Sequence, residues 1–176
     1  MTTSRRQFMA RTVPLAAAAG MIAAANRNVM AAPPATGAGA ETFYKVIPVG
    51  KVEKDGKAVR LRIFDPFVDG LLGLDGWSHV NVFYWFDQND VPQKRRVLRV
   101  HPRGDKNNPL TGVFGCRAPV RPNLIALSVC RILSVQGNLV NVDQIDAFDA
   151  TPIIDLKPFI PPDAPTEGVK VPAWAG

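Results

Sequence analysis

The sequence predicts a mainly β protein, a compact single β-barrel of about seven short strands with few or short helices. Three observations carry this. From Phe43 onward the apolar residues fall in short runs rich in Val, Ile, Phe and Tyr; Gly, Asp, Asn and Pro punctuate the runs; and no stretch sustains a 3.6-residue period. The 176 residues, 47% apolar and 20% charged, have the composition of a domain that buries a core. Short strands must pair or bury their edges, so a closed or partly closed barrel, or a dimer, is the economical arrangement.

Residues 1–31 read as a twin-arginine export signal: Arg5 and Arg6 precede Phe8, an Ala-rich run follows from Thr12 to Ala25, and Val29-Met30-Ala31 forms a small-residue cleavage site. That run, interrupted by Pro14, is too short for a stable membrane span of ~30 Å. The expectation is a domain that folds, meets the twin-arginine translocase and works in the periplasm or elsewhere outside the cytoplasm. The signal holds Arg5, Arg6, Arg11 and Arg27 and no acid, so the chain's net charge of +6 falls to +2 without it. A basic balance therefore does not argue for nucleic acid.

Residues 32–41, "APPATGAGAE", have nothing to bury and read as a linker. The domain is expected over 42–163. Strands are expected near 43–49, 58–63, 78–86, 95–101, 125–134, 138–143 and 152–156, with a turn at Asp55-Gly56 and a hairpin at Gln136-Gly137-Asn138. "LLGLDGW" suits a short helix or turn. "WSHVNVFYWFD" is apolar on both faces, as in a strand covered on both sides. The proline-rich tail, 164–176, suits neither a helix nor an inner strand. Cys116 and Cys130 are fourteen apart, which admits a disulfide after export or, for Cys130, a place in the core.

No GxSxG, P-loop or strand-GxGxxG-helix unit is present, and two histidines with no CxxC give no basis for a metal site. Ser78 and His79 are adjacent on a strand and point to opposite faces, so they cannot act as nucleophile and base. What remains is charge. In "RRVLRVHPRGD", Arg95, Arg99, His101 and Arg103 share a strand face; Arg95 and Arg96 suit a solvated face, whereas Arg99, His101 and Arg103 enter a Gly/Pro loop where they can converge on an anion. "GVFGCRAPVRPN" sets Arg117, Arg121 and Asn123 on a proline-stiffened turn, and "IDAFDATPIIDLKP" gathers Asp146, Asp149 and Asp155, whose plainer role is capping a turn.

Three segments, "DGLLGLDGWSHVNVFYWF", "LRVHPRGDKNNPLTGVFGCRAPVRPNLIALSVCRIL" and "IDAFDATPIIDLKPFIP", together resemble the TsaA-like (TrmO) family over roughly residues 44 to 163. The resemblance implies a compact barrel, usually a homodimer, that binds S-adenosylmethionine near the subunit interface and methylates N6 of threonylcarbamoyladenosine in tRNA, a substrate at odds with export. The family's Val-Phe-Ala-Thr-Arg-Ser-Pro turn falls on Val113 to Pro119, which makes Arg117 a cofactor contact, and the following Arg-Pro-Asn falls on Arg121, Pro122 and Asn123. Leu127, the segment Ala147, Phe148, Asp149 and Ala150, and the positions of Asp87 and Gln88 complete the implied cofactor set. Asp87 stands where the family usually has His or a similar residue. Arg99, His101, Arg103, Arg121 and Asn123 are assigned to the substrate. Asp149 is the expected acceptor of the hydrogen on adenine N6.

The chain departs from the family at Cys116 for Thr, Ala118 for Ser, Leu124 for Pro, and Ala126 and Ala150 for Gly. A long first loop that touches the cofactor has no counterpart in "VGKVEKDGKAVRLRIF". Two further functions are consistent with the residues: a non-catalytic module outside the cytoplasm with an anion pocket, and a domain whose arginines pair with Asp146, Asp149 and Asp155 to hold the barrel shut.

Overall fold

The computed structural model describes residues 43–161 and 167–175; the expected signal and linker lie outside them. Among the described residues eight strands form, β1 Gly50–Asp55, β2 Ala58–Ile63, β3 His79–Trp85, β4 Arg99–Val100, β5 Thr111–Gly112, β6 Ile125–Gln136, β7 Leu139–Val142 and β8 Pro152–Pro158, with one α-helical turn, α1, at Pro92–Arg95. Six close into an antiparallel barrel in the order β1-β2-β7-β6-β3-β8, while β4 and β5 make a separate two-stranded sheet. β8 pairs with both β3 and β1, so it joins the two ends of the sheet.

Two expected strands are corrected. Residues 43–49 carry no strand, and the first begins at Gly50. Pro48 has no amide to donate to a ladder, whereas Gly50 and Val52 are buried and Lys51 and Glu53 are half-exposed on the opposite face. Of the strand expected over 95–101, Arg95 ends a helical turn, Arg96 is a turn residue, Val97, Leu98 and His101 are irregular, and β4 keeps only Arg99 and Val100. Pro92 sits in the first turn of α1, where its fixed φ suits a helix start. β3 is also less enclosed than its sequence suggests: Val80, Val82 and Tyr84 are buried, but the alternate residues are only half-buried. "LLGLDGW" belongs to 3-10 turns at Asp65–Leu71 and Leu74–Gly76, whose Leu71 and Leu74 cap the core.

Val52, Leu61, Val80, Val82, Val140 and Ile153 meet inside the barrel with no solvent exposure. Cys130 lies among them, and both cysteines are free, so of the two readings of Cys130 the core one holds. The hairpin turns fall where expected, with Gly56 and Gly137 at φ 56° and 58°, a region that costs glycine little. Gly50 is needed for another reason. A Cβ there would lie 2.4 Å from the backbone oxygen of Arg62 on β2, so only glycine lets β1 approach.

Gly50→Ala is therefore expected to destabilise the fold by about 2 kcal/mol, read as a lower urea midpoint, since the obstructing atom is backbone and cannot step aside cheaply. Burial pushes the Cys130 thiol up to about 12 from 9.0, with Asp143 adding to the shift. A folded pKa above the unfolded one means stability is intact below pH ~9 and is lost as pH rises toward 12, at up to about 1.4 kcal/mol per pH unit. Cys130→Ala should remove that alkaline slope in denaturation measured from pH 8 to 11, whatever it does to stability at neutral pH.

Candidate functional site

β1 and β3 each run antiparallel to β8, so their last residues reach the same end of the barrel. There Lys54 of β1, Tyr84 and Trp85 of β3 and Thr151 before β8 surround a cleft of ≈ 390 Å³. Its remaining walls are the turn after β3, with Phe86, Asp87, Gln88 and Asn89; the loop before β8, with Ile145, Asp146, Ala147 and Phe148; and Arg117 and Pro119 from the arginine turn. The volume is that of a small-molecule site.

Each wall is held by bonds to the barrel. The buried Tyr84 hydroxyl donates to the Asp146 carbonyl and lies 3.3 Å from Ser128 Oγ. Burial pushes its pKa up, so the phenol keeps its proton and remains a donor. Lys54 Nζ donates to the Ile145 carbonyl at 3.2 Å, and Ala150 N donates to Val52 O at 2.9 Å. The turn after β3 is clamped from the other side. Arg95 Nε and Trp85 Nε1 donate to the two Asp90 oxygens at 2.8 and 3.0 Å, and the Arg95 guanidinium lies 5.3 Å from the Trp85 ring centre. The hydrogen bond from Arg95, with that from Trp85, holds the Asp90 carboxyl below its usual range. Lys94 Nζ reaches the Gln88 carbonyl and Asn89 Oδ1 at 3.2 and 2.9 Å. Thus Arg95 is no idle surface charge.

Five residues of the expected cofactor set line this cleft: Asp87, Gln88, Arg117, Ala147 and Phe148. Three do not. Leu127 is exposed on the outer face of β6 opposite Phe83, because odd residues of that strand from Ile125 to Leu133 point away from the core. Asp149 Oδ1 accepts the Lys54 backbone N–H at 2.8 Å, the capping role open to an Asp in a turn, and it does not border the cleft. Ala150 also lies outside it, at φ 63°. Asp149, expected as the general base, thus ties the loop before β8 to the β1 end.

The expected substrate residues separate as well. His101 and Arg103 border a second cleft of ≈ 1140 Å³ together with Arg117, but Arg99 on β4 and Asn123 in the loop before β6 border neither. Arg121 is turned into its own loop, donating to the Val113 and Cys116 carbonyls, the latter at 2.8 Å. It holds the turn that presents Arg117. Among the described residues no arginine forms an ion pair with Asp146, Asp149 or Asp155, and Asp155 pairs with Lys157 at 2.8 Å. The sequence reading missed Lys54, Tyr84, Trp85 and Phe86 as cleft residues; the aromatic run "FYWF" ending a strand just before Asp87 was the available signal.

A closed barrel whose end carries a small cleft with an arginine, two acids and an aromatic wall is a small-ligand-binding barrel in which charge and ring recognition converge. The chain belongs to the family of the tRNA-methyltransferase O N-terminal domain, whose family model matches residues 43–163. A probable S-adenosyl-L-methionine-binding protein of Methanocaldococcus jannaschii is 47% identical over 117 residues, 66% of this chain and 93% of its own length. The tRNA (adenine(37)-N6)-methyltransferase of Mus musculus is 36% identical over 58% of this chain and 23% of its own. Two crystal structures of TrmO from Pseudomonas aeruginosa share the fold. One has a TM-score of 0.61 at 24% identity, covering 78% of this chain and 64% of that one; the other has 0.58 at 26%, covering 73% and 61%. The chain thus spans under two thirds of those solved chains.

Two outcomes are expected. Ala150 occupies a left-handed conformation that suits glycine, so Ala150→Gly should raise stability by about 0.5–1 kcal/mol in urea unfolding. Tyr84→Phe should cost about 1 kcal/mol and speed amide exchange in 145–151, because the Asp146 carbonyl loses its donor.

Proposed function

We propose that the protein binds S-adenosylmethionine in the cleft at the end of the barrel and is a methyltransferase. The observation that carries this reading is the placement of Arg117 in one small cleft with Asp87, Asp146, Phe86 and Phe148. A guanidinium suits the ligand's carboxylate, the acids suit its ammonium and ribose hydroxyls, and the aromatic rings suit its adenine and sulfonium. Phe148 is 67% exposed, an apolar ring at the cleft that a ligand would cover. The residues present therefore fit the group, even though the long first loop of the family is replaced by the tight Asp55-Gly56 turn.

When bound, S-adenosylmethionine supplies a methyl group activated by its sulfonium. The protein's part is positional. Arg117 fixes one end of the ligand, Tyr84 and Lys54 keep the loop 145–148 in place, and the aromatic side chains exclude water. The relatives' names support this class of chemistry, and the mouse enzyme's name supports an adenine N6 in tRNA as acceptor. The Arg5-Arg6 signal supports export, and outside the cytoplasm the acceptor is a different nucleophile. The exposed stripe Ile125, Leu127, Val129 and Leu133 on β6 supports a homodimer.

Calorimetric titration of the protein with S-adenosylmethionine should show a micromolar Kd, and Arg117→Ala should weaken it at least tenfold with the fold intact. No heat at millimolar ligand would remove the methyltransferase reading and leave the binding-module one. A fusion of residues 1–41 to a folded reporter should be exported; a reporter held in the cytoplasm restores tRNA as the substrate.

A further inference from the structure

The second cleft differs in chemistry from the first. His101, Arg103, Lys106 and Arg117 border it, and among the described residues no acid does, whereas the first holds Asp87 and Asp146. Its apolar part comes from the chain's own tail, with Val171 and the half-buried Trp174 beside Pro102 and Val120. Arg103 lies beside the tail, its guanidinium 3.5 Å from the Ala175 carbonyl oxygen. Arg117 and Pro119 border both clefts, so the two are neighbours across a single turn.

Two details make the second cleft a built site. Arg103 is held at φ 60°, a left-handed conformation costly for a side chain other than glycine, and the Gly104 that follows is at φ 72°. Glycine at 103 would relieve that cost, yet the position carries a guanidinium on the cleft wall. His101 is oriented as well: its Nδ1 lies 2.7 Å from the Asn108 carbonyl, which can only accept, so Nδ1 carries the proton and Nε2 of the neutral ring keeps a lone pair. Asn108 is itself fixed by its Nδ2, which donates to Pro102 O at 3.0 Å.

We propose that this cleft binds an aromatic ring bearing an anionic group, a carboxylate or a phosphate, with the ring against Trp174 and the anion among Arg103, Lys106 and Arg117. Arg103, Lys106 and Arg117 give the cleft a single sign of charge, and the indole and prolines give it a flat apolar side. His101 Nε2 accepts a hydrogen from the ligand's ring or substituent. Because Arg117 is shared, the occupant lies beside whatever fills the first cleft. That this makes it the methyl acceptor rests on the reading of the first cleft as the S-adenosylmethionine site; the ring-anion site itself does not.

Phenyl phosphate and benzoate, titrated into the full chain and followed by calorimetry and tryptophan emission, test the site. At least one should bind saturably, at least tenfold tighter than phenol or inorganic phosphate, and the tighter of the two identifies the anion. Arg103→Gly should weaken that ligand at least fivefold while raising the urea midpoint, which separates lost binding from lost folding. Trp174→Ala should weaken it comparably and abolish the emission change. S-adenosylmethionine, where it binds, should still bind in saturating phenyl phosphate, with its affinity shifted because both occupants meet Arg117. No saturation by 10 mM of either anion, equal binding of inorganic phosphate alone, indifference to Trp174→Ala, or mutual exclusion with S-adenosylmethionine would each overturn the proposal. Ring-anion binding in a chain that takes no S-adenosylmethionine would leave this site standing and refute the reading of the first.

Discussion

Everything at the working end of this barrel depends on the seam that closes it. The ladder between β1 and β8 holds only two residue pairs, Gly50 with Ile153 and Lys51 with Pro152. Backbone bonds extend it at both ends: Val49 N to Ile153 O at 2.8 Å, Val52 N to Thr151 O and Ala150 N to Val52 O, both at 2.9 Å. Gly50 permits the approach because no side chain stands between β1 and the backbone of β2. The same seam fixes the loop before β8, which supplies one wall of the first cleft. A weak closure there would open the site before it unfolded the barrel.

Around this seam the charged residues divide into those that build and those that remain available. Arg95, Arg121, Lys54 and Asp149 spend their hydrogen bonds on carbonyls, amides or one carboxylate and so hold turns in place. Arg117, exposed between two clefts, has no ion pair among the described residues. One cleft adds acids to that arginine and the other adds only bases, so the shared guanidinium faces two different ligand chemistries. Two strained positions flank this arrangement, Ala150 in the loop before β8 and Arg103 in the loop after β4. At Ala150 the strain accompanies the loss of a glycine found in the family; at Arg103 it accompanies a charge on a cleft wall.

Much of the barrel was legible because its signals are local. Gly56 and Gly137 mark hairpins through the φ they alone adopt cheaply, and the alternating runs of β2, β6 and β8 name their inner faces. β1 was hidden because four of its six residues are charged, and the run before it is apolar but exposed. Site residues were legible where the motif itself forms the wall, as for Arg117 and Phe148. They were not where backbone geometry intervenes: Asp149 and Phe148 are sequence neighbours, but the turn aims Asp149 at the Lys54 amide. Tyr84 was hidden by its double role, since its ring belongs to the core and only its hydroxyl reaches the loop. The tail could be recognised as neither helix nor inner strand, but nothing local showed that Trp174 meets residues some seventy positions earlier.

The central claim is that the seam, the turn after β3 and the loop before β8 form one ligand site. Backbone hydrogen exchange with and without S-adenosylmethionine tests it most directly. The amides of residues 86–89 and 145–151, with those of Val49 and Val52 in the seam, should slow together on ligand addition, while β4 and β5 stay unchanged. Protection confined to β4 and β5, or ligand-bound protein in which the seam and both walls exchange as before, would contradict the account.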